Sequence, residues 1–209
     1  MNPHVKASLA IVANIINCIK TKKERYIISL AGESGCGKTE TAKALAAEFS
    51  KQGIDSLVLS QDDYFFLPPL TNDAKRKKHP EWLGPHKEVN IKLLNDTLVE
   101  AIKGSDTIDV PCIDYDTNIE RNNKISIEGI KVIIVEGTYI SLLKNIDTRI
   151  FIDVDYNDTL EFRKLRNRGN EVNDPFVENI LETEHKIIAG HKFLADFIVT
   201  KDYDVIPAN

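Results

Sequence analysis

The sequence predicts an α/β fold in which helices cover both faces of a mainly parallel sheet, a three-layer α/β/α sandwich. Short apolar runs alternate with helical segments along the whole chain. One of these runs, Lys131–Val135, is unbroken and rich in β-branched residues, as is typical of a parallel strand buried on both faces. At 209 residues and 42% hydrophobic composition, the chain can bury a full core. We therefore expect a single domain spanning residues 1–209.

Composition and charge indicate which partners and which cellular compartment to expect. The net charge of −5 gives the chain no overall attraction to nucleic acid or to an anionic membrane, so we expect neither as a partner. Its three cysteines form no C-x-x-C pair, and an odd number of them indicates free thiols in a reducing compartment, so we expect a cytoplasmic protein. The apolar run Val5–Ile19 is interrupted by Asn14 and Asn17 and has the spacing of an amphipathic helix. The sequence leaves the oligomeric state open, including a homo-oligomer.

A strand, a glycine-rich loop and a helix follow one another near the N-terminus. Tyr26–Ala31 is an apolar run, the next eight residues fit G-x-x-x-x-G-K-[ST], and Thr41–Phe49 reads as a helix. In this context, that of the P-loop containing nucleoside triphosphate hydrolase fold, backbone N–H groups surround phosphate oxygens. We expect Lys38 to reach the β- and γ-phosphates and Thr39 to offer its hydroxyl to Mg²⁺. The predicted site for ATP, or for another nucleoside triphosphate, consists of Gly32, Glu33, Ser34, Gly35, Cys36, Gly37, Lys38, Thr39 and Glu40.

Cys36 lies inside this loop and close to a helix N-terminus. Such an electropositive setting lowers the pKa of a thiol and raises its reactivity. Provided that the thiol is accessible, we expect alkylation of Cys36 to inactivate the protein and bound ATP to protect it.

Two further strands are predicted to end in acidic residues at the ligand-binding edge of the sheet. Ser56–Ser60 leads into Asp62 and Asp63, and Lys131–Val135 ends at Glu136. An Asx turn would also explain the two aspartates, but beside a phosphate loop we favour catalysis, because phosphoryl transfer uses a carboxylate near the acceptor hydroxyl. Glu136 occupies a Walker B position. The predicted Mg²⁺ site comprises Thr39, Asp62 and Glu136.

The middle of the chain is predicted to contain a long loop. Residues 66–87 hold four prolines and a basic cluster with little apolar periodicity, which is typical of a lid or binding loop, here a substrate loop. Helical spacing resumes over Val89–Lys103. The strand Thr107–Ile113 contains Pro111, which favours an edge position. Asp114, Tyr115 and Asp116 follow this strand directly, and Ile125 and Ile127 indicate another short strand.

Towards the C-terminus, the strand Arg149–Asp153 precedes a helix that carries Arg163, Arg166 and Arg168. Taken alone, these arginines favour a solvated helix face. In a functional interpretation their planar donors suit the charge on a transferring phosphoryl group, so that residues 160–175 form an arginine-bearing lid. A helix over Val177–Phe193 and a strand over Phe197–Thr200 complete the predicted elements.

Together these segments resemble the uridine kinase and phosphoribulokinase superfamily of small-molecule kinases, which includes nicotinamide riboside kinase. The resemblance spans nearly the whole chain and lies in Gly32–Thr39, Ser60–Phe65, Asp114–Asp116, Ile134–Gly137, Arg163–Arg168 and Ala195–Val199. It implies that Asp62 is the base for the acceptor hydroxyl, with Asp63 as the alternative. It further implies catalytic roles for Lys38, Arg163, Arg166 and Arg168. The acceptor is expected beside Asp63, Tyr64, Asp114, Tyr115, Asp116 and Glu120.

The sequence departs from uridine kinases at two acceptor positions. Those kinases tend to have His-Pro-Asp after the long loop, whereas Gly84–Glu88 lacks the aspartate, and Glu120 stands where they place a histidine against uracil. A carboxylate can accept hydrogen bonds from both hydroxyls of a diol. The candidates for this role are Glu88, Asp114, Asp116 and Glu120. We favour Asp114 and Asp116, and the alternative is that both cap a turn.

The predicted function is that of an ATP-dependent kinase, which transfers the γ-phosphoryl group to a hydroxyl of a small molecule such as a nucleoside, a ribosyl compound or a sugar. Alternative acceptors are a vitamin, a phosphosugar or a macromolecule. A nucleotide-dependent switch is less favoured, because no glycine has an aspartate three residues before it and Thr200–Tyr203 lacks the acid that ends [NT]-K-x-D.

Overall fold

The computed structural model describes residues 1–114, 117–160, 163–164 and 174–208. The helices within these residues are α1 (Pro3–Thr21), α2 (Lys38–Lys51), α3 (Pro69–Lys78), α4 (Ile91–Ile102) and α5 (Pro175–Ile188). The strands are β1 (Tyr26–Gly32), β2 (Ser56–Ser60), β3 (Thr107–Asp114), β4 (Ile119–Ser126), β5 (Val132–Gly137), β6 (Thr148–Ile152), β7 (Phe197–Val199) and β8 (Val205–Pro207). No helix in this part of the chain combines the length and apolar character that a membrane crossing needs.

The central sheet has the strand order β2-β5-β1-β6-β7-β8. Its first five strands run parallel, and β8 pairs antiparallel with β7 at one edge. Because β2, β5 and β1 are neighbours, their carboxyl ends at Ser60, Gly137 and Gly32 lie side by side. The predicted α/β fold with a mainly parallel sheet is therefore confirmed.

Apolar side chains on both faces of the sheet form two cores. Successive residues of a strand point to opposite faces, so Ile27 and Ile28 of β1 enter different cores. Ile27 packs with α4 residues such as Leu98, whereas Ile28 packs with Ile11 of α1 and Phe49 of α2. The apolar stripe of the first predicted helix thus covers the same face as the helix of the phosphate loop.

Strands β3 and β4 form an antiparallel ribbon outside the central sheet. Pro111 of β3 pairs with Asn122, and its place in a two-stranded ribbon agrees with the edge position that proline favours. Strand β4 begins at Ile119, earlier than the strand indicated by Ile125, and most of its residues are exposed. Its polar sequence, rather than an apolar pattern, explains why its start was not predicted.

The prediction of an irregular loop over residues 66–87 is wrong. This segment contains α3 and a 3₁₀ turn at Pro80–Trp82. Pro69 opens α3, where its missing N–H costs nothing, and four basic residues occupy the last turn, where cations suit the helix dipole. The only buried residue of α3 is the polar Asn72. A helix anchored by polar groups shows no apolar periodicity, so the pattern used for the prediction did not detect it.

Candidate active site

The predicted phosphate loop connects β1 to α2 with two glycines in the left-handed region of backbone space. Gly35 has φ = 83° and Gly37 has φ = 87°, values that residues other than glycine rarely adopt. Gly37 is the N-cap of α2, so the first N–H groups of the helix face the loop. The Nζ of Lys38 donates a hydrogen bond of 2.7 Å to the carbonyl of Glu33. The lysine therefore lies folded back across the loop that it is predicted to serve.

Side chains from other elements support the loop. A Cβ atom at Gly35 would lie 3.0 Å from Cγ of Arg163 and 3.1 Å from Cβ of Thr159. A Cβ atom at Gly37 would lie 2.6 Å from Cε1 of His4. A larger residue at either position would thus have to displace a neighbouring side chain in addition to adopting a rare backbone conformation.

The carboxylate of Glu136 connects the ends of β5, β2 and α2. Its Oε1 accepts a hydrogen bond of 2.9 Å from Ser60 Oγ and one of 3.2 Å from Thr39 Oγ1. Glu136 is buried, and burial raises the pKa of this carboxyl, an effect that the charge of Lys38 opposes. The predicted neighbours Thr39 and Glu136 are therefore brought together.

These groups fit a magnesium site. No cluster of three or more His, Cys, Asp and Glu side chains is arranged as a metal site among the described residues. Mg²⁺ needs no such cluster in a kinase, because it binds one or two carboxylates together with phosphate oxygens and water. A threonine hydroxyl and a carboxylate at the phosphate loop match this chemistry.

The two adjacent aspartates after β2 have different surroundings. Asp62 is exposed on the 3₁₀ turn Gln61–Tyr64, and its N–H donates to Ser60 Oγ at 3.3 Å. Asp63 is half-buried, and its Oδ1 accepts a hydrogen bond of 3.0 Å from the N–H of Ile113. Burial raises the pKa of Asp63, and the charge of Asp62 adds to this effect. Asp63 thus ties β3 to the edge of the site, and Asp62 is the more accessible carboxylate.

The structure separates the other predicted acceptor residues. Tyr64 is buried in a hydrophobic core, and Glu120 is exposed on β4. Asp114 accepts a hydrogen bond of 3.0 Å from the N–H of Thr117, the contact expected of a turn-capping residue. Tyr115 and Asp116 lie outside the described residues.

Glu88, another candidate for diol binding, is completely buried. It accepts hydrogen bonds from Asn72 Nδ2 at 3.1 Å, from Arg76 Nε at 2.7 Å and from the N–H of Gly84 at 3.0 Å. These contacts occupy both carboxylate oxygens. Glu88 therefore fixes α3 and the following loop.

Of the three predicted lid arginines, Arg163 lies within the described residues, and Arg166 and Arg168 lie outside them. Arg163 is 2% exposed, its Nη1 is 3.3 Å from Glu178 Oε1, and its Nη2 donates to the carbonyl of Tyr156 at 3.2 Å. These contacts tie it to α5 and to the segment after β6. This buried position differs from the solvated helix face that the arginines, taken alone, favoured.

The condition on which the predicted reactivity of Cys36 depends, an accessible thiol with a lowered pKa, is not met. Its side chain is 3% exposed, and burial raises the pKa of the thiol despite the opposing charge of Lys38. The electropositive setting was identified from the sequence, but the packing of Cys36 into the core beneath the loop outweighs it.

A sequence model of the phosphoribulokinase / uridine kinase family matches residues 27–183, from β1 into α5. The chain belongs to this family. It is accordingly a P-loop kinase, a nucleotide-binding phosphotransferase.

Individual relatives of the family cover most of the chain. The bifunctional alpha-galactosidase/sucrose kinase AgaSK of Mediterraneibacter gnavus is 30% identical over 199 residues, or 90% of this chain, which spans only 21% of that protein's length. The uridine kinase of Oceanobacillus iheyensis is 28% identical over 192 residues, covering 86% of this chain and 88% of that one. The solved structure of phosphoribulokinase from Rhodobacter spheroides has a TM-score of 0.64 at 12% identity, over 86% of this chain and 71% of that one, which shows a common fold.

Two histidines outside the residues that the family model matches also contact the phosphate loop or the helix that follows it. His4 of α1 places Nδ1 2.9 Å from Thr41 Oγ1 and packs edge-on against the ring of Tyr203. His185 of α5 places Nδ1 2.7 Å from Oε1 of the loop residue Glu33. Sequence reasoning missed both histidines, because each is paired with a residue far away in the chain and neither lies in a motif.

Proposed function

We propose that this chain is an ATP-dependent kinase that transfers the γ-phosphoryl group to a hydroxyl of a small molecule, a nucleoside or a sugar. The observation that carries this proposal is the position of Asp62. It is exposed just beyond β2, and its N–H donates to Ser60 Oγ, which in turn donates to Oε1 of Glu136. An accessible carboxylate within reach of the phosphate loop suits the removal of a proton from an acceptor hydroxyl.

The proposed reaction assigns a role to each residue at this edge of the sheet. The acceptor oxygen bonds to the γ-phosphorus as the bond from that phosphorus to the β–γ bridging oxygen breaks, and Asp62 takes the hydroxyl proton. Lys38 and the first N–H groups of α2 stabilise negative charge on the phosphoryl oxygens. Thr39 and Glu136 would hold Mg²⁺, which supplies further charge neutralisation when bound.

In this proposal the arginines have two roles: one holds the phosphate loop in place, and the others contact the transferring phosphoryl group. Arg163 packs against Gly35 and is engaged by Glu178, so we assign it to holding the phosphate loop against α5. Arg166 and Arg168 stay predictions as donors to the transferring phosphoryl group.

The relatives support a neutral hydroxyl compound as the acceptor. One is named for sucrose and another for uridine, and both compounds are uncharged and carry several hydroxyls. The contact of Asp114 with Thr117 favours the turn-capping alternative for this aspartate. A diol contact by Asp116 stays a prediction.

The test is a coupled assay of ATP consumption with Mg²⁺ over a panel of nucleosides, free sugars, vitamins and sugar phosphates. We expect consumption that depends on a nucleoside or a sugar and that is abolished in Lys38→Ala, because this variant loses the side-chain cation of the phosphate loop. Lys43→Ala is the matched control, since Lys43 lies on the same helix, is exposed and pairs with Glu40. Consumption that is independent of any acceptor, or that persists in Lys38→Ala, would contradict the proposal.

A further inference from the structure

A buried polar cluster joins three elements near the proposed acceptor site. Arg76 of α3 lies with its Nε 2.7 Å from Glu88 and its Nη2 3.9 Å from Oε1 of Glu184, which is carried by α5. The side chains of these three residues are 13%, 0% and 10% exposed, respectively. The cluster therefore holds two carboxylates against one guanidinium, away from bulk water.

One polar atom of this cluster, and one from a residue that interacts electrostatically with all three of its members, have no hydrogen-bond partner among the described residues. They are Oε2 of Glu184 and the hydroxyl of Tyr139, and both are buried. The carboxylate of Glu88, by contrast, accepts hydrogen bonds from three donors. Buried polar groups in folded proteins are almost always hydrogen-bonded, so an unpaired carboxylate oxygen and an unpaired hydroxyl point to a missing ligand or water.

The segments that carry the unpaired groups contact the catalytic edge of the sheet. The N–H of Tyr139 donates to Oε1 of Gln61, the residue before Asp62, and His185, next to Glu184, places Nδ1 2.7 Å from Oε1 of the loop residue Glu33. Tyr139 follows β5 two residues after Gly137, and its hydroxyl interacts electrostatically with Glu184, Glu88 and Arg76. Glu184 in turn interacts with Lys38 and Asp62. Burial raises the pKa of Glu184 to about 7, although the charges of Arg76 and Lys38 oppose this effect. The cluster thus lies beside the segments that form the phosphate loop and carry the proposed base.

We propose that Glu184 and Tyr139 bind a hydroxyl group of the phosphoryl acceptor, and that the acceptor is a neutral polyhydroxy compound. One hydroxyl of such a compound can donate to Oε2 of Glu184 and accept from the hydroxyl of Tyr139. This assignment rests on the proposed kinase function, and it locates acceptor recognition on α5 rather than on the acids after β3.

The positive charges described near this site already have partners within the protein, which favours a neutral acceptor over an anionic one. Arg76 is already paired with Glu88 and Asp73. Lys75 and Lys77 point their ammonium groups at aromatic rings, 3.1 Å from the centre of Trp82 and 4.7 Å from that of Phe176. An anionic acceptor would bring its charge to a cluster in which carboxylates outnumber guanidinium groups, at a cost that a neutral one avoids.

The experiment compares the wild type with Glu184→Gln, Tyr139→Phe and the control Glu182→Gln. Glu182 lies on the same helix, is exposed and pairs with Lys186, so its variant changes the charge of α5 without entering the cluster. Binding of uridine, D-fructose, sucrose and D-ribulose 5-phosphate is measured by calorimetry in the presence of Mg²⁺ and a non-hydrolysable ATP analogue. Initial rates with ATP are measured in parallel.

We expect a neutral compound of this set to bind the wild type, and D-ribulose 5-phosphate to bind more weakly. In Glu184→Gln the Kd of the neutral compound should rise about tenfold to a hundredfold, the loss expected for a hydrogen bond to a buried charge. Tyr139→Phe should show a smaller rise, and Glu182→Gln and the affinity for the ATP analogue should be unchanged. Because a hydroxyl donor favours the carboxylate form, the wild-type Kd should fall between pH 6 and 8, whereas that of Glu184→Gln should be flat.

Three results would overturn the inference: no neutral compound binds, Glu184→Gln binds it as tightly as the wild type, or the variant loses nucleotide affinity to the same extent. Binding that depends on Glu184 without any phosphoryl transfer would support a hydroxyl-binding site at Glu184 and contradict the proposed kinase function, which separates the two failures.

Discussion

The hydroxyl of Thr39 on α2 donates a hydrogen bond of 3.2 Å to the carboxylate of Glu136 on β5. This contact joins the helix that follows the phosphate loop to β5, the strand between β2 and β1. Both groups are suited to Mg²⁺. The hydroxyl of Thr39 can be tested specifically, because valine replaces it with a methyl group and leaves the size of the side chain nearly unchanged.

In Thr39→Val, phosphoryl transfer should fall at least tenfold to a hundredfold and should need a higher concentration of Mg²⁺, since a hydroxyl that holds or orients the metal is lost. The measurement is turnover as a function of Mg²⁺ at saturating ATP. Thr21→Val, at the exposed end of α1, serves as the control. An unchanged Mg²⁺ dependence in Thr39→Val would remove Thr39 from the predicted metal site.

A second prediction concerns Gly137, at the end of β5. A Cβ atom there would lie 2.3 Å from Cβ of Gln61, whose Oε1 accepts a hydrogen bond of 2.7 Å from the N–H of Tyr139. Gly137→Ala should therefore lower the free energy of unfolding by about 1–3 kcal/mol, the range typical of overpacking. Urea denaturation measures this, and Gly190→Ala is the control because a Cβ atom at Gly190 meets no atom within 4 Å. Equal stability of the two variants would show that Gln61 moves aside without cost.

The third prediction concerns the reactivity of the cysteines, and for Cys36 it is the opposite of the expectation drawn from the sequence. Cys18 is exposed, whereas Cys36 is buried and has a raised pKa. Iodoacetamide should modify Cys18 first and leave Cys36 unmodified in the native protein, with or without ATP. Peptide mass spectrometry identifies the modified sites, and Cys18→Ser should abolish the fast phase. Rapid modification of Cys36 in the folded protein would mean that the phosphate loop opens readily.

The fourth prediction is a pH dependence of stability. The pKa of Glu184 is about 7 in the folded protein against an ordinary value of 4.5, so the folded state retains a proton that the unfolded state has lost between these values. This contribution to stability is complete below about pH 4.5 and is lost as the pH rises through 7. In Glu184→Gln the free energy of unfolding should fall less steeply between pH 5 and 7.5, as measured by urea titrations. Parallel curves for variant and wild type would show that Glu184 titrates normally.

The sequence was sufficient to predict the strand, loop and helix around Lys38 and the acid at Glu136, because their signals are local. A glycine pattern and an unbroken apolar strand determine both backbone and position. The parallel sheet then brings the ends of β1, β2 and β5 together, so the meeting of Thr39 with Glu136 follows from topology.

Other features could not be predicted because they depend on partners that are distant in the chain. The burial of Cys36 depends on how the loop packs against the core, and Glu33 pairs with a histidine 152 residues away. Helix α3 is anchored by Asn72 and Arg76 on the buried Glu88, a polar arrangement without periodicity. A single sequence contains the residues of such contacts but no pattern that joins them.

The most direct test of the proposed kinase mechanism is the turnover of Asp62→Asn beside that of Asp63→Asn, with the acceptor that the assay panel identifies. We predict that Asp62→Asn keeps its affinity for ATP and Mg²⁺ within a few-fold while turnover falls by roughly 10² to 10⁴, the loss typical of a missing general base. Asp63→Asn should mainly lose stability, because its carboxylate holds the N–H of Ile113. Wild-type turnover in Asp62→Asn, or a large loss of turnover in a stably folded Asp63→Asn alone, would contradict the assignment of Asp62 as the base.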